Sequence, residues 1–156
     1  MTTTDGRRAP FIVFEGGEGS GKTTQATLLA DRLSVEEGRS VRLTREPGGT
    51  VIGSALREIL LNPATTGLAP RAEALLMAAD RAQHADELIR PSLADGVTVI
   101  SDRYLYSSVA YQGYGRGHDP AEIRDLSLWA TYGLEPDLVV LIDVDRETAN
   151  RRLQRE

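Results

Sequence analysis

The run Gly16-Gly17-Glu18-Gly19-Ser20-Gly21-Lys22-Thr23 fits the spacing G-x-x-x-x-G-K-[ST], with an apolar stretch before it and a helical pattern after it. Such a run is built to hold phosphate. Its glycines let the backbone fold until successive N–H groups point at the same oxygens, and the following helix adds the positive end of its dipole. Lys22 would reach the phosphate that is transferred, and the Thr23 hydroxyl would ligate Mg²⁺. Gly16, Gly17, Glu18, Gly19, Ser20, Gly21, Lys22, Thr23 and Thr24 form the candidate loop for a nucleoside triphosphate. Lys22 is also the only lysine among the 18 basic residues. Any chemistry that needs an ammonium must use it. Schiff-base chemistry elsewhere is excluded, and so is the Asn-Lys-x-Asp box of a small GTPase.

Four further stretches carry reactive types at suggestive spacing. Val97–Ile100 is apolar and leads into Ser101-Asp102-Arg103-Tyr104, so a strand delivers an acid and a base at its carboxyl end, the edge where open α/β sheets bind ligands. Asp102 is placed to orient Mg²⁺, and Arg103 to hold a phosphate. Asp143, after Leu138–Ile142, is a rival for the metal-orienting acid; the arginine beside Asp102 favours the latter. Ser108 and Gln112 share a helix face, and an amide offers both donor and acceptor to a base edge. Met77 and Arg81 are likewise one helical turn apart and could flank a flat ring. Arg45-Glu46-Pro47-Gly48-Gly49-Thr50 is a charged loop at a strand end, with Arg57 shortly after it. Spacing alone favours a solvated face for Ser108 and Gln112, and a core methionine with an exposed arginine for Met77 and Arg81; a solvated loop remains open for Arg45–Thr50.

The elements that must position these residues alternate. Strands are expected at Phe11–Phe14, Val41–Thr44, Val97–Ile100 and Leu138–Ile142. Helices are expected from Lys22 to about Glu37, over Ile52–Leu61, from Pro70 to Leu88 or Ile89, over Ser107–Gln112, from Pro120 to near Gly133, and over Arg146–Glu156. Leu75, Leu76, Ala79 and Ala82 give the long helix its apolar period. Aliphatic strands separated by helices predict an α/β fold with a parallel sheet covered on both faces. Residues 1–9 read as a flexible tail and residues 10–156 as one domain.

The 156 residues suffice for one core, and 40% apolar content with 26% charged residues argues against disorder. The absence of cysteine excludes disulfides, thiolate metal sites and cysteine nucleophiles. No apolar run is long enough to cross a bilayer, and the N-terminus lacks a secretory core, so a cytoplasmic protein is expected. The net charge of −5 argues against duplex nucleic acid as a partner.

Taken together, FEGGEGSGKTTQ (Phe14–Gln25), TREPGGT (Thr44–Thr50), LLMAADRAQH (Leu75–His84), DRYLYSSVAYQG (Asp102–Gly113) and GLEPDLVVLIDV (Gly133–Val144) resemble the thymidylate kinases, in that family's order. The resemblance implies a P-loop NTPase-type parallel sheet with helices on both faces, and transfer of a phosphoryl group from ATP to dTMP with Mg²⁺. It implies that Lys22, Arg103, Asp102 and Glu18 are catalytic and that Thr23 and Asp102 serve the metal. Glu18 would contact the sugar 3′-hydroxyl, Arg103 and Arg57 the acceptor phosphate, Arg81 thymine O4 and Gln112 the base edge. Ser108 would lie near the 5-methyl pocket, Tyr111 beneath the deoxyribose, and Glu46 would support the acceptor site. Met77 stands where many members stack a phenylalanine on thymine, which predicts a softer contact. The family continues through an arginine-bearing lid, so the chain is expected to be truncated at the lid's start, marked by Arg151, Arg152 and Arg155, with the last strand and helix missing. A homodimer is implied as well. A kinase for another nucleoside monophosphate, or a nucleotide-binding fragment without turnover, is the alternative.

Overall fold

The computed structural model describes residues 9–154. Residues 1–8 of the expected tail and the terminal Arg155-Glu156 lie outside the described residues. Ala9, which the sequence assigned to the tail, is buried in the core beside Phe11.

Four strands, β1 (Phe11–Glu15), β2 (Val41–Arg45), β3 (Thr98–Asp102) and β4 (Leu138–Leu141), form one parallel sheet in the order β2-β3-β1-β4. All five residues of β1 are buried, because side chains that alternate in direction enter a core on either side. Ile12, Phe14 and Ile100 pack against Ala26 and Ala30 of α1 (Lys22–Val35). Phe11, Val13 and Val99 pack against Ala85, Ile89, Leu93, Tyr104 and Leu105 on the opposite face. The register places Phe14 and Arg45 level with Asp102, so three strands end together. That shared edge is what carries the site.

The expected α/β fold with a helix-covered parallel sheet is observed, and the covering is most complete at β1 and β3. β2 and β4 are the sheet's edges among the described residues, and Leu141 is 71% exposed. β3 also runs on to Asp102, beyond the expected Ile100. The long helix is longer than its apolar period suggested. α3 (Pro70–His84) continues through a wide π-helical turn, Ala85–Ile89, into α4 (Arg90–Ala94). Pro91 falls in the first turn of α4, directly after the wide turn. Its buried face also differs from expectation. Leu75 is 59% exposed, and the helix buries Ala74, Ala78, Asp80, Arg81 and His84 instead. Small alanines allow close approach to α2 (Val51–Leu61), and the polar side chains find partners elsewhere, at Thr44, Glu46, Gly48, Tyr104, Ser108 and Ser127. Ser107–Gln112 divides between α5 (Leu105–Ser108) and a second wide turn, Val109–Gly115. α6 (Pro120–Ala130) and α7 (Arg146–Leu153) complete the fold. Among the described residues no helix is long and apolar enough to cross a membrane.

Ile100, fully buried between β1 and β2, should be among the costliest truncations. Ile100→Ala is expected to destabilise by about 2–5 kcal/mol in urea unfolding, whereas Leu141→Ala on the exposed edge should cost well under about 1 kcal/mol.

Candidate active site

The phosphate loop leaves β1 at Glu15 and enters α1 at Lys22. Gly16 takes φ 147, and a Cβ there would lie 2.4 Å from the Ile142 carbonyl oxygen, so no other residue fits. Gly21 caps α1 in the left-handed region and has no side chain to occupy the first helical N–H groups, which stay open to an anion. Lys22 is 7% exposed, and its Nζ donates to the Gly17 carbonyl at 2.7 Å. Burial, then repulsion from Arg103, lowers its pKa. Ser20 Oγ is buried and has no hydrogen-bond partner among the described residues.

Asp102 accepts a hydrogen bond from the Thr23 hydroxyl, so the two oxygens expected at a metal are already together. Asp143, the rival acid, lines a different pocket, with Gln25, Ile142 and Arg152. Among the described residues no cluster of three or more His, Asp or Glu could hold a metal alone. A hard-oxygen pair completed by substrate phosphate is the arrangement Mg²⁺ favours.

Arg103 has φ 74, a strained conformation for an arginine. Its Nη1 donates to the Gly16 carbonyl at 3.2 Å and to Ser107 Oγ at 3.0 Å, and its guanidinium lies 5.3 Å from the Tyr111 ring centroid. Glu15 holds this turn. The buried carboxylate accepts from the Tyr104 and Ser107 amides at 3.0 and 3.2 Å and from the Ser107 hydroxyl at 2.6 Å. Burial raises its pKa, against those hydrogen bonds. Sequence reading missed both Glu15 and Ser107. An acid closing an apolar strand just before a glycine-rich loop is the signal that could have found the former.

The Glu46 loop is held from below. Glu46 accepts from Arg81 Nε at 2.9 Å and from His84 Nδ1 at 2.8 Å. The tautomer that donates to Glu46 leaves His84 Nε2 to accept from the Thr44 hydroxyl, 2.8 Å away. Asp80 accepts from the Gly48 amide at 2.9 Å through Oδ1, while its Oδ2 has no partner among the described residues. Burial pushes the Asp80 carboxyl up to about 6. Gly49 must be glycine, because a Cβ would stand 2.6 Å from His84 Nε2. Neither His84 nor Asp80 was singled out in the sequence.

Two adjoining cavities meet over this floor. One, of about 700 Å³, is lined by Lys22, Thr23, Thr24 and Asp102. The other, of about 440 Å³, is lined by Met77, Tyr111, Gln112 and Glu73. Glu18, Glu46, Arg57 and Arg103 belong to both. Arg57 is fixed by its hydrogen bond to the Pro47 carbonyl at 2.8 Å. Burial, then Arg45, lowers its pKa. Arg81 and Ser108 lie behind the wall, not on it. The Arg81 guanidinium is 1% exposed and donates to Glu46, Ser127, the Tyr104 carbonyl and Ser108. Arg152 hydrogen-bonds the Ser20 carbonyl at 2.8 Å, and Arg151 the Thr148 hydroxyl at 3.1 Å.

A donor cavity and an acceptor cavity that share cationic residues suit transfer between two phosphorylated ligands, and with this sheet they define a P-loop nucleotide kinase. The family model for thymidylate kinase matches residues 14–156. The chain belongs to the thymidylate kinase family, whose reaction is the ATP-dependent phosphorylation of dTMP. It is 57% identical to a thymidylate kinase of Clavibacter sepedonicus over 143 residues, covering 92% of this chain and 67% of that protein. It is 54% identical to one of Leifsonia xyli subsp. xyli, covering 98% of this chain and 72% of that one. The crystal structure of thymidylate kinase from Ehrlichia chaffeensis superposes with a TM-score of 0.81 at 40% identity, covering 96% of this chain and 84% of that one.

The raised Asp80 pKa makes stability pH-dependent. This carboxyl binds its proton more tightly folded than unfolded, so its contribution is complete below its ordinary pKa of 3.8 and lost as pH rises through about 6. Relative to Asp80→Asn, the wild type is expected to lose up to about 3 kcal/mol in urea unfolding between about pH 4 and pH 7.

Proposed function

We propose that this chain transfers the γ-phosphoryl group of ATP to dTMP, giving dTDP and ADP, with the donor in the Lys22 cavity and the acceptor in the Met77 cavity. The observation that carries this reading is the shared wall: Arg57 and Arg103 line both cavities, where the two phosphates must meet. Phosphoryl transfer needs alignment and charge neutralisation more than covalent help. The loop amides and the buried Lys22 ammonium hold the donor phosphates. Arg103 and Arg57 hold the acceptor phosphate in line, and no general base is required because that phosphate is already nucleophilic. Mg²⁺ held by Thr23 and Asp102 would supply further charge neutralisation on the donor.

In the acceptor cavity, Glu18 receives the sugar 3′-hydroxyl, Tyr111 underlies the deoxyribose, Met77 gives the base apolar area, and Gln112 meets its edge. Arg81 and Ser108 act through what they hold. The arginine fixes Glu46, which lines the acceptor cavity, and the Ser108 hydroxyl behind it. The loss of one methyl group separates dUMP from dTMP, so that selectivity is limited to about 1–3 kcal/mol. The proposed partners are small molecules and a second copy of the chain. The exposed Ile52, Ile59 and Leu75 on α2 and α3 support such a pairing. The cytoplasm is the proposed location.

Lys22→Ala should reduce ADP release coupled to dTMP by at least about a thousandfold, since no other ammonium can replace it. Near-normal turnover would overturn the donor-site assignment.

A further inference from the structure

The acceptor cavity holds a polar set that the roles above leave unexplained. Gln112 is 5% exposed, and its Nε2 donates to Glu73 Oε1 at 3.0 Å. Its Oε1 is buried and has no partner among the described residues. Glu73 in turn accepts from Arg116 through two bonds, Nε to Oε1 at 3.2 Å and Nη2 to Oε2 at 2.9 Å. Glu73 stands on α3, whereas Gln112 and Arg116 belong to the turn after α5 and its end, and all three line the cavity with Met77.

The orientation of a side-chain amide is decided by its partners. A carboxylate only accepts, so Gln112 must turn its NH₂ to Glu73; the flipped amide would set two oxygen lone pairs against each other. Oε1 is then the unpaired acceptor that Gln112 offers a ligand, and a buried acceptor without a donor is costly. A pyrimidine with a protonated ring N3, as in thymine or uracil, supplies that donor. Cytosine presents a lone pair at the same place and would be repelled. Arg116 keeps Glu73 charged. Burial draws the Glu73 carboxyl upward, but the hydrogen bonds from Arg116 and Gln112 outweigh it and leave its pKa below the usual value.

We propose that Glu73, clamped by Arg116, is a positioning residue that locks the Gln112 amide with its carbonyl free, and so selects a pyrimidine nucleotide bearing N3–H over one bearing an N3 lone pair. This rests on placing the base in the Met77 cavity, as proposed above. Glu73→Gln keeps the size and a hydrogen bond but lets the two facing amides flip as a pair, so that Gln112 can donate to cytosine.

The test is calorimetric binding of dTMP and dCMP to the 156-residue chain. The wild type should prefer dTMP. Glu73→Gln should narrow the dTMP-to-dCMP affinity ratio by a factor of about ten, weakening dTMP and strengthening dCMP. Gln112→Leu should narrow it too, and adding Glu73→Gln to that variant should change nothing further. Arg116→Ala, at an exposed residue, should move the ratio in the same direction by about threefold and guards against a folding defect at position 73. A ratio unchanged in both Glu73→Gln and Arg116→Ala, or equal losses for both nucleotides, overturns this inference while leaving the kinase reading intact. A wild type that binds neither nucleotide overturns both.

Discussion

The contact on which the site's floor depends is the buried pair between Glu46 and Arg81, each side chain 1% exposed. Two charges removed from water are stable together only if their remaining hydrogen-bonding capacity is also met. Here it nearly is. The second Glu46 oxygen takes His84, and Arg81 spends its other donors on Ser127, the Tyr104 carbonyl and Ser108. One pair thereby ties together the loop after β2, helix α3, both ends of α5 and helix α6. Removing either partner would leave an uncompensated charge in the interior, at a cost of about 3–5 kcal/mol. The loop that bears Glu46 also holds Arg57 through the Pro47 carbonyl, so the pair sets the placement of a residue it does not touch.

Above this floor, the sheet edge holds a second device of the same kind. The left-handed backbone at Arg103 is a strained state that persists only where its surroundings require it. Glu15 supplies the requirement by accepting three hydrogen bonds from the turn that follows. Ser107 links the two, donating to Glu15 and accepting from Arg103. Buried carboxylates hold both of the arginines assigned to the acceptor phosphate, Glu15 through the Arg103 turn and Glu46 through the Arg57 loop, and both carboxylates stand at the carboxyl edge of the sheet.

What was legible in the sequence was local. The glycine-rich loop, the Asp102-Arg103 dipeptide after an apolar strand and the strand–helix alternation each sit within about ten residues, where spacing alone constrains geometry. What was not legible crosses the chain. Glu73 meets Gln112 across 39 residues, and Glu46 meets His84 across 38. No periodicity encodes such pairings, so Glu73, His84 and Glu15 passed as ordinary polar residues. The face of α3 was misread for a related reason. Counting apolar side chains assumes an apolar neighbour, yet this helix buries small and charged residues against a polar network and leaves Leu75 outside. The same network draws Arg81 behind the wall, a displacement invisible to a spacing that correctly put Met77 and Arg81 on one side of the helix.

The solitary lysine has a consequence for labelling chemistry. Among side chains, an amine-directed acylating reagent would find a single target in this molecule, Lys22, with its ammonium turned inward onto the Gly17 carbonyl. Its rate of modification would report how often the phosphate loop opens, and occupancy of the loop would appear as protection. The composition has thus left the protein with a built-in footprinting probe at the centre of its nucleotide site.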